Sequence, residues 1–262
     1  MTNLRKKIRC FLFDMDGTIY LGNKLLPGAK MFLRELEIRD VPYYFLTNNS
    51  SRSRADYVTK LERLGLNTPA EKIFSSGEAT ATYLKKKGGG SRIFLVGTPS
   101  LENEFEQHGF QLVQNNPDYV VLGFDTTLTY EKLWKLCDFV RRDIPYIATH
   151  PDINCPTETG FMPDIGAMIA FVETSTGRKP DEIVGKPNPP IIEAILEKTV
   201  YNVNQIAMVG DRLYTDIAMG KTGITTILVL SGETKESDIE SANQKPDYVV
   251  KNIQGLRELY FS

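Results

Sequence analysis

The chain holds one tryptophan, two histidines and three cysteines among 262 residues, and the cysteines are the scarcity that bears on class. Cys10, Cys137 and Cys155 are odd in number and none stands in a C-x-x-C spacing, which excludes a disulfide framework and a structural zinc site and reads as reduced thiols in a cytosol. Long apolar runs are missing too. The basic residues of Met1–Arg9 lead into the apolar run Cys10-Phe11-Leu12-Phe13, which Asp14 ends, too short for a signal peptide or a membrane span. Neither sign of charge dominates: a formal net charge of −2 and a pI near 5.9 leave no footprint for nucleic acid or an anionic membrane. The expectation is a soluble, cytoplasmic protein whose partner is a small molecule, and any anion it takes has to be met by local charge.

Apolar residues make up 41% of the chain, enough to bury a real core. Short apolar runs alternate with helix-period segments, the pattern of parallel sheets covered by helices on both faces. Strands are predicted over 9–13, 42–46, 72–74, 205–209, 225–230 and 247–250, with amphipathic helices over 29–39, 54–64 and 190–199. Residues from about 79 to 179 repeat the same grammar, with strands at 92–96, 119–122 and 146–148 and helices ending at His108 and covering 130–141 and about 165–173. Breakers at Lys87-Gly88-Gly89-Gly90 and Thr176-Gly177-Arg178-Lys179-Pro180 mark the edges of this stretch. The expected architecture is α/β: a Rossmann-like doubly wound parallel sheet made by 1–78 and 180–262, with a smaller α/β domain, 79–179, set inside it.

Three predicted strands end in polar residues. Asp14 and Asp16 follow the first, Thr47-Asn48-Asn49 the second, and Gly210-Asp211-Arg212 a later one. Ligands of open parallel sheets bind at the carboxyl ends of strands, so these three ends converge if their strands are neighbours. A strand period puts Asp14 and Asp16 on one side, where two carboxylates repel unless a hard cation sits between them. Lys186, in Gly185-Lys186-Pro187 ahead of a predicted helix, brings an ammonium toward the same point. The roles then follow from charge. Asp14 attacks phosphorus as a carboxylate; Asp16 protonates the leaving alcohol and then deprotonates the water that cleaves the acyl phosphate. Thr47 donates its hydroxyl to a phosphoryl oxygen, Lys186 neutralises charge, Asp211 completes the cation's shell, and Asp216 holds that shell in place. Taken singly, each residue has a plainer reading: Asp-x-Asp as a turn former, Thr47 as a helix cap, Lys186 as a surface lysine, Asp216 as a helix-start residue. His150, next to Pro151, is balanced between loop packing and substrate contact, and Trp134 reads as domain core or interface. Asp14-x-Asp16-Gly17 also opens like a calcium loop, but Ile19 stands where that loop needs glycine and Leu25 where it needs a bidentate glutamate.

Four segments, Phe13-Asp14-Met15-Asp16-Gly17-Thr18-Ile19-Tyr20, Leu46-Thr47-Asn48-Asn49-Ser50-Ser51, Gly185-Lys186-Pro187 and Gly210-Asp211-Arg212-Leu213-Tyr214-Thr215-Asp216, occur in this order. Together they resemble the haloacid dehalogenase superfamily, and the whole chain is similar to its NagD-type branch of phosphatases. The resemblance implies an aspartyl-phosphate intermediate, Mg²⁺ bound by the Asp14 side chain, the Asp16 backbone carbonyl and Asp211, and an α/β cap inserted between Thr47 and Lys186. It makes Gly17, Asn48, Asn49 and His150 the expected substrate contacts, the last within Ala148-Thr149-His150-Pro151-Asp152, which resembles the branch's specificity segment. The partner it implies is a small phosphorylated metabolite, with a homodimer through the cap as a further option. One departure stands out: the chain has Pro163-Asp164 where the branch usually has Pro-Gly.

Two other functions use related parts. A phosphoacceptor switch of the response-regulator kind also places Asp, Thr and Lys at strand ends, but a base at Asp16 shortens the lifetime that a signal needs. A metal-independent dehalogenase of the same superfamily has no need of Asp16. A phosphomutase in this superfamily usually carries a helical cap instead.

Overall fold

The computed structural model describes residues 4–157 and 160–262. They form two compact units. The first comprises the chain up to Thr47, Val58–Phe74 and Ile195–Ser262; the second comprises Asn48–Tyr57 and Ser75–Ala194.

The first unit is built on a six-stranded sheet in the spatial order Tyr248–Val250, Thr225–Val229, Ile206–Gly210, Cys10–Phe13, Tyr43–Thr47, Ile73–Ser75. Cys10–Phe13 lies in the middle, parallel to its two neighbours, with Phe13 in register with Val209 on one side and Phe45 on the other. All four of its residues are buried, which is why it reads as a continuous apolar run rather than an alternating one. Phe11 and Phe13 stack at 5.6 Å between ring centroids and meet the edges of Phe32, from the helix Ala29–Ile38, and Phe11 also meets Tyr260, from the helix Ile253–Phe261. Fully burying a Phe contributes roughly 1.5–3 kcal/mol, so this cluster pins the central strand and fixes where its carboxyl end emerges.

The second unit has its own five-stranded sheet, in the order Glu182–Ile183, Tyr146–Ala148, Tyr119–Leu122, Arg92–Val96, Gln111–Leu112, all parallel. Four helices, Ser76–Lys87, Pro99–Gln107, Tyr130–Arg141 and Ile165–Thr176, cover it. Each starts at a side-chain cap: Ser75, Thr98, Thr129 and Asp164 all accept a backbone N–H of the first turn. Phe94, Val120, Leu122, Phe139, Tyr146 and Val172 fill its core.

The predicted elements are found within a few residues of their expected bounds, and the conditional step holds: the strands that end at Phe13, Thr47 and Gly210 are adjacent. The second unit is wider than the 79–179 stretch bounded by the breakers, because Asn48–Ser51 is hydrogen-bonded to Thr149, Asp152 and Lys186 and so packs with it. Trp134 is 62% exposed, which removes the core half of its expected role; it stands on the open face of Tyr130–Arg141 beside exposed Tyr130. Two short antiparallel pairs, Tyr20–Leu21 with Lys24–Leu25 and Asn154–Thr157 with Gly160–Pro163, have no counterpart in the sequence reading.

Candidate active site

The central strand delivers Asp14 one residue beyond its end, where the Asp14 N–H donates to Val209 C=O at 2.9 Å, and the neighbouring strand delivers Asp211 one residue beyond Gly210. Asp216 lies in the following turn, fully buried, with its carboxylate accepting the Arg212 N–H at 3.1 Å. Asp14, Asp211 and Asp216 each bring a carboxylate oxygen to within 4.8 Å of the others. Glycines make this possible. Gly17 sits at φ +82, and a Cβ there or at Gly232 would collide with the Asp211 carboxylate, while one at Gly210 would collide with Asp216. The Ser231–Thr234 loop closes the other side: Glu233 N–H donates to Asp211 Oδ2 at 2.7 Å, Thr234 N–H to the Asp211 C=O at 3.2 Å, and Ser231 Oγ to Gly17 C=O at 2.8 Å.

Burial, followed by the charge of Asp216, pushes the Asp211 carboxyl up to about 7, against the opposing pull of the Glu233 N–H and Arg212. Its Oδ1 is buried and accepts no hydrogen bond. A buried, orphaned carboxylate oxygen among two further acids is costly unless a cation meets it. The donor set, all carboxylate oxygen, is the hard kind that suits Mg²⁺. These residues therefore fit a divalent cation.

Asp16 is placed differently. The strand ends at Phe13, so its alternation does not run on to residue 16; the chain turns instead, with Ile19 N–H donating to Met15 C=O at 2.9 Å. The exposed Asp16 carboxylate accepts the Tyr20 hydroxyl at 3.2 Å and lies 3.7 Å from the Lys60 ammonium, which itself stands over the Tyr20 ring at 3.8 Å. Thr47 closes the adjacent strand and is buried.

The remaining expected residues belong to the second unit. Asn48 Oδ1 accepts the Lys186 N–H at 2.8 Å, and its Nδ2 donates to Lys186 C=O at 3.0 Å and to Asp152 Oδ1 at 2.8 Å. Lys186 is only 2% exposed. Asn49 is used in a local turn, accepting both the N–H and the hydroxyl of Ser51 at Oδ1. His150 is fully buried: Nε2 lies 3.0 Å from Asp164 Oδ1, and Nδ1 lies 3.1 Å from Thr149 Oγ1 and 3.3 Å from Ser76 Oγ. Asp164, the departure from the branch's pattern, both faces His150 and caps Ile165–Thr176 through the Ile165 N–H at 2.7 Å. His150, Asp152 and Asp164 also gather ligand-type atoms within 4.8 Å, but Asn48, Ile165 and His150 engage those carboxylates, so this group is a hydrogen-bonded knot within the unit.

Sequence reasoning missed Tyr20 and Lys60 beside Asp16, and the Ser231–Thr234 loop around Asp211. No local signal in Ser231-Gly232 marks the loop, because its approach to Asp211 is made only by the fold.

Parallel strands whose adjoining ends gather three carboxylates within 4.8 Å of one another, with a threonine on the next strand, are a Rossmann-like arrangement suited to a metal-assisted hydrolase. The sequence matches the family model described as haloacid dehalogenase-like hydrolase over residues 11–111, and a second HAD-like hydrolase model over 183–256. An acid sugar phosphatase of Staphylococcus aureus is 34% identical over 258 residues, covering 97% of this chain and 99% of that protein. The crystal structure of a 4-nitrophenylphosphatase from Thermotoga maritima is similar at a TM-score of 0.95 and 50% identity, covering 98% of this chain and 99% of that one. NagD from Escherichia coli K-12 gives a TM-score of 0.88 at 34% identity, covering 94% and 97%. The chain belongs to the haloacid dehalogenase-like hydrolase family, in its NagD-type branch. Among the described residues no helix is long and apolar enough to cross a membrane.

Proposed function

We propose that this chain, a phosphomonoester hydrolase, cleaves the phosphate esters of small metabolites in two steps through an aspartyl phosphate on Asp14. The observation that carries the reading is the gathering of Asp14, Asp211 and Asp216 at adjoining strand ends, with a buried Asp211 oxygen that has no protein partner. In the first step an Asp14 carboxylate oxygen bonds to phosphorus as the bond to the ester oxygen breaks, and the Asp16 carboxyl gives its proton to that leaving oxygen. In the second step the Asp16 carboxylate takes a proton from water, the resulting hydroxide oxygen bonds to phosphorus, and the bond to Asp14 breaks to restore its carboxylate. Thr47 donates its hydroxyl to a phosphoryl oxygen, with backbone N–H groups near Gly17, and Lys186 supplies a fixed positive charge for the transferring group. Mg²⁺, held by Asp14, the Asp16 C=O and Asp211 with Asp216 in support, supplies when bound the charge that lets clustered acids tolerate a phosphate dianion. In this reading the exposed Asp16 carboxylate leaves Tyr20 and Lys60 to meet the leaving oxygen.

Sugar phosphates are the first class to try, because the Staphylococcus aureus relative is an acid sugar phosphatase. A cytoplasmic setting and a homodimer through the second unit belong to the same proposal. The test is Asp14→Asn, which preserves shape and removes the nucleophile. It should abolish turnover of 4-nitrophenyl phosphate while leaving the circular dichroism spectrum and melting curve of a folded protein. Wild-type turnover by that variant would overturn the mechanism.

A further inference from the structure

Asn48 was expected to touch substrate, yet its side chain is committed elsewhere. It is 4% exposed, and both of its N–H donors and its oxygen are engaged: one donor on Asp152, the other donor and the oxygen on the C=O and N–H of a single residue, Lys186. An amide has two donors and one acceptor oxygen, so little capacity is left for a ligand. Both main-chain polar groups of Lys186 are thus gripped by one side chain that lies 138 positions earlier in the chain. The grip has its own supports. The Ser76 hydroxyl donates to the Asn48 C=O. The residue before the lysine must be glycine, because a Cβ at Gly185 would stand 2.7 Å from Asn48 Oδ1 and 2.6 Å from His150 Cβ.

We propose that Asn48, braced by Asp152, is a positioning residue that sets the backbone of Lys186 and so aims its ammonium, rather than a residue that binds substrate. The inference rests on the reaction proposed above, in which Lys186 serves the transferring phosphoryl group. Misplacing a working group by about 1 Å costs on the order of 100-fold in rate, so loss of the two bonds that fix the Lys186 backbone should be read in turnover. Residues that act through one another do not lose activity independently, so the signature is non-additivity.

The experiment is a double-mutant cycle on the full chain with Mg²⁺ and 4-nitrophenyl phosphate, using Asn48→Ala, Lys186→Ala and the pair. Asn48→Ala alone should lower kcat by about 30–100-fold, yet lower it by no more than about 3-fold further when Lys186 is already Ala. Asn48→Asp keeps the acceptor for the Lys186 N–H but loses both donors and faces the Asp152 carboxylate; it should be no better than Asn48→Ala. Ser50→Ala is the comparison for a purely structural loss. Its hydroxyl lies 2.9 Å from Thr149 Oγ1 and accepts the Phe124 N–H at 3.0 Å, and its effect should multiply with that of Lys186→Ala. Where turnover by Lys186→Ala falls below detection, the same cycle is read in the affinity for inorganic phosphate by calorimetry. Where Asn48→Ala fails to fold, Asn48→Ser takes its place. Full multiplication of the Asn48 and Lys186 effects would overturn the positioning role while leaving the reaction intact. Wild-type turnover by Lys186→Ala would instead remove the lysine from the reaction, and the purpose of the grip with it.

Discussion

Replacing Asp211 by asparagine should make the metal-free protein more stable above neutral pH, an unusual direction for a substitution in a candidate active site. Burial and the neighbouring Asp216 raise the Asp211 carboxyl from its ordinary 3.8 to about 7. The folded form thus holds its proton more tightly than the unfolded form. The associated stability is complete below the unfolded value and is lost as pH rises toward about 7. The difference corresponds to at most about 4 kcal/mol at full ionisation. Asparagine carries no charge to desolvate and keeps an oxygen to accept the Glu233 N–H, bonded at 2.7 Å in the native site. For a chain of this size about 4 kcal/mol is a Tm difference of roughly 8–12 °C. In chelator, Asp211→Asn should therefore melt that far above wild type at about pH 8, with the gap shrinking to less than half at about pH 5. Adding Mg²⁺ at the higher pH should raise the wild-type Tm and leave the variant's nearly unchanged, because a bound cation relieves what the substitution has already removed. Differential scanning fluorimetry over a pH series reads all of this. A variant that melts below wild type in chelator at the higher pH, or a gap independent of pH, would refute the electrostatic reasoning.

Two further outcomes follow from the same geometry. Gly232→Ala drives a Cβ into the Asp211 carboxylate and should cost about 1–3 kcal/mol in a urea melt while weakening Mg²⁺ binding in a fluorescence titration; unchanged binding would show that the loop does not shape the cation site. Asp164→Gly, which restores the branch's usual residue, removes the cap of Ile165–Thr176 and the partner of His150, and should lower stability by about 1–2 kcal/mol by urea midpoint. A neutral result would mean that neither bond contributes.

The parts of the site that were legible are those in which a polar residue interrupts an apolar run. Asp14 after Phe13, Thr47 after Leu46 and Asp211 after Gly210 declare themselves because all three fall where a buried strand ends, a conjunction that outweighs the plainer reading each has alone. Whether they converge depended on strand order, which local pattern cannot supply; the pairing of Cys10–Phe13 with both partners decides it. What stayed hidden depends on close approach and burial. Nothing in the string Ser231-Gly232-Glu233 says that its backbone wraps Asp211, and the two-residue alternation that placed Asp16 beside Asp14 stops where the strand stops. His150 and Asp164 lie 14 residues apart and only the fold joins them, so neither the burial of the histidine nor a second use for the non-glycine residue was readable. Short pairs such as Tyr20–Leu21 with Lys24–Leu25 fall below the length at which periodicity carries a signal.

The central claim, a phosphoryl group carried by Asp14 and released with the help of Asp16, is tested most directly in the variant Asp16→Asn with 4-nitrophenyl phosphate. Nitrophenolate leaves without needing a proton, so the first step proceeds while the second lacks its base. Rapid mixing should give a burst approaching one nitrophenolate per chain, followed by a stall, and quenched protein should carry the phosphoryl group on Asp14. The absence of a burst with no phosphorylated chain, or a phosphoryl group found on any other residue, would contradict the mechanism.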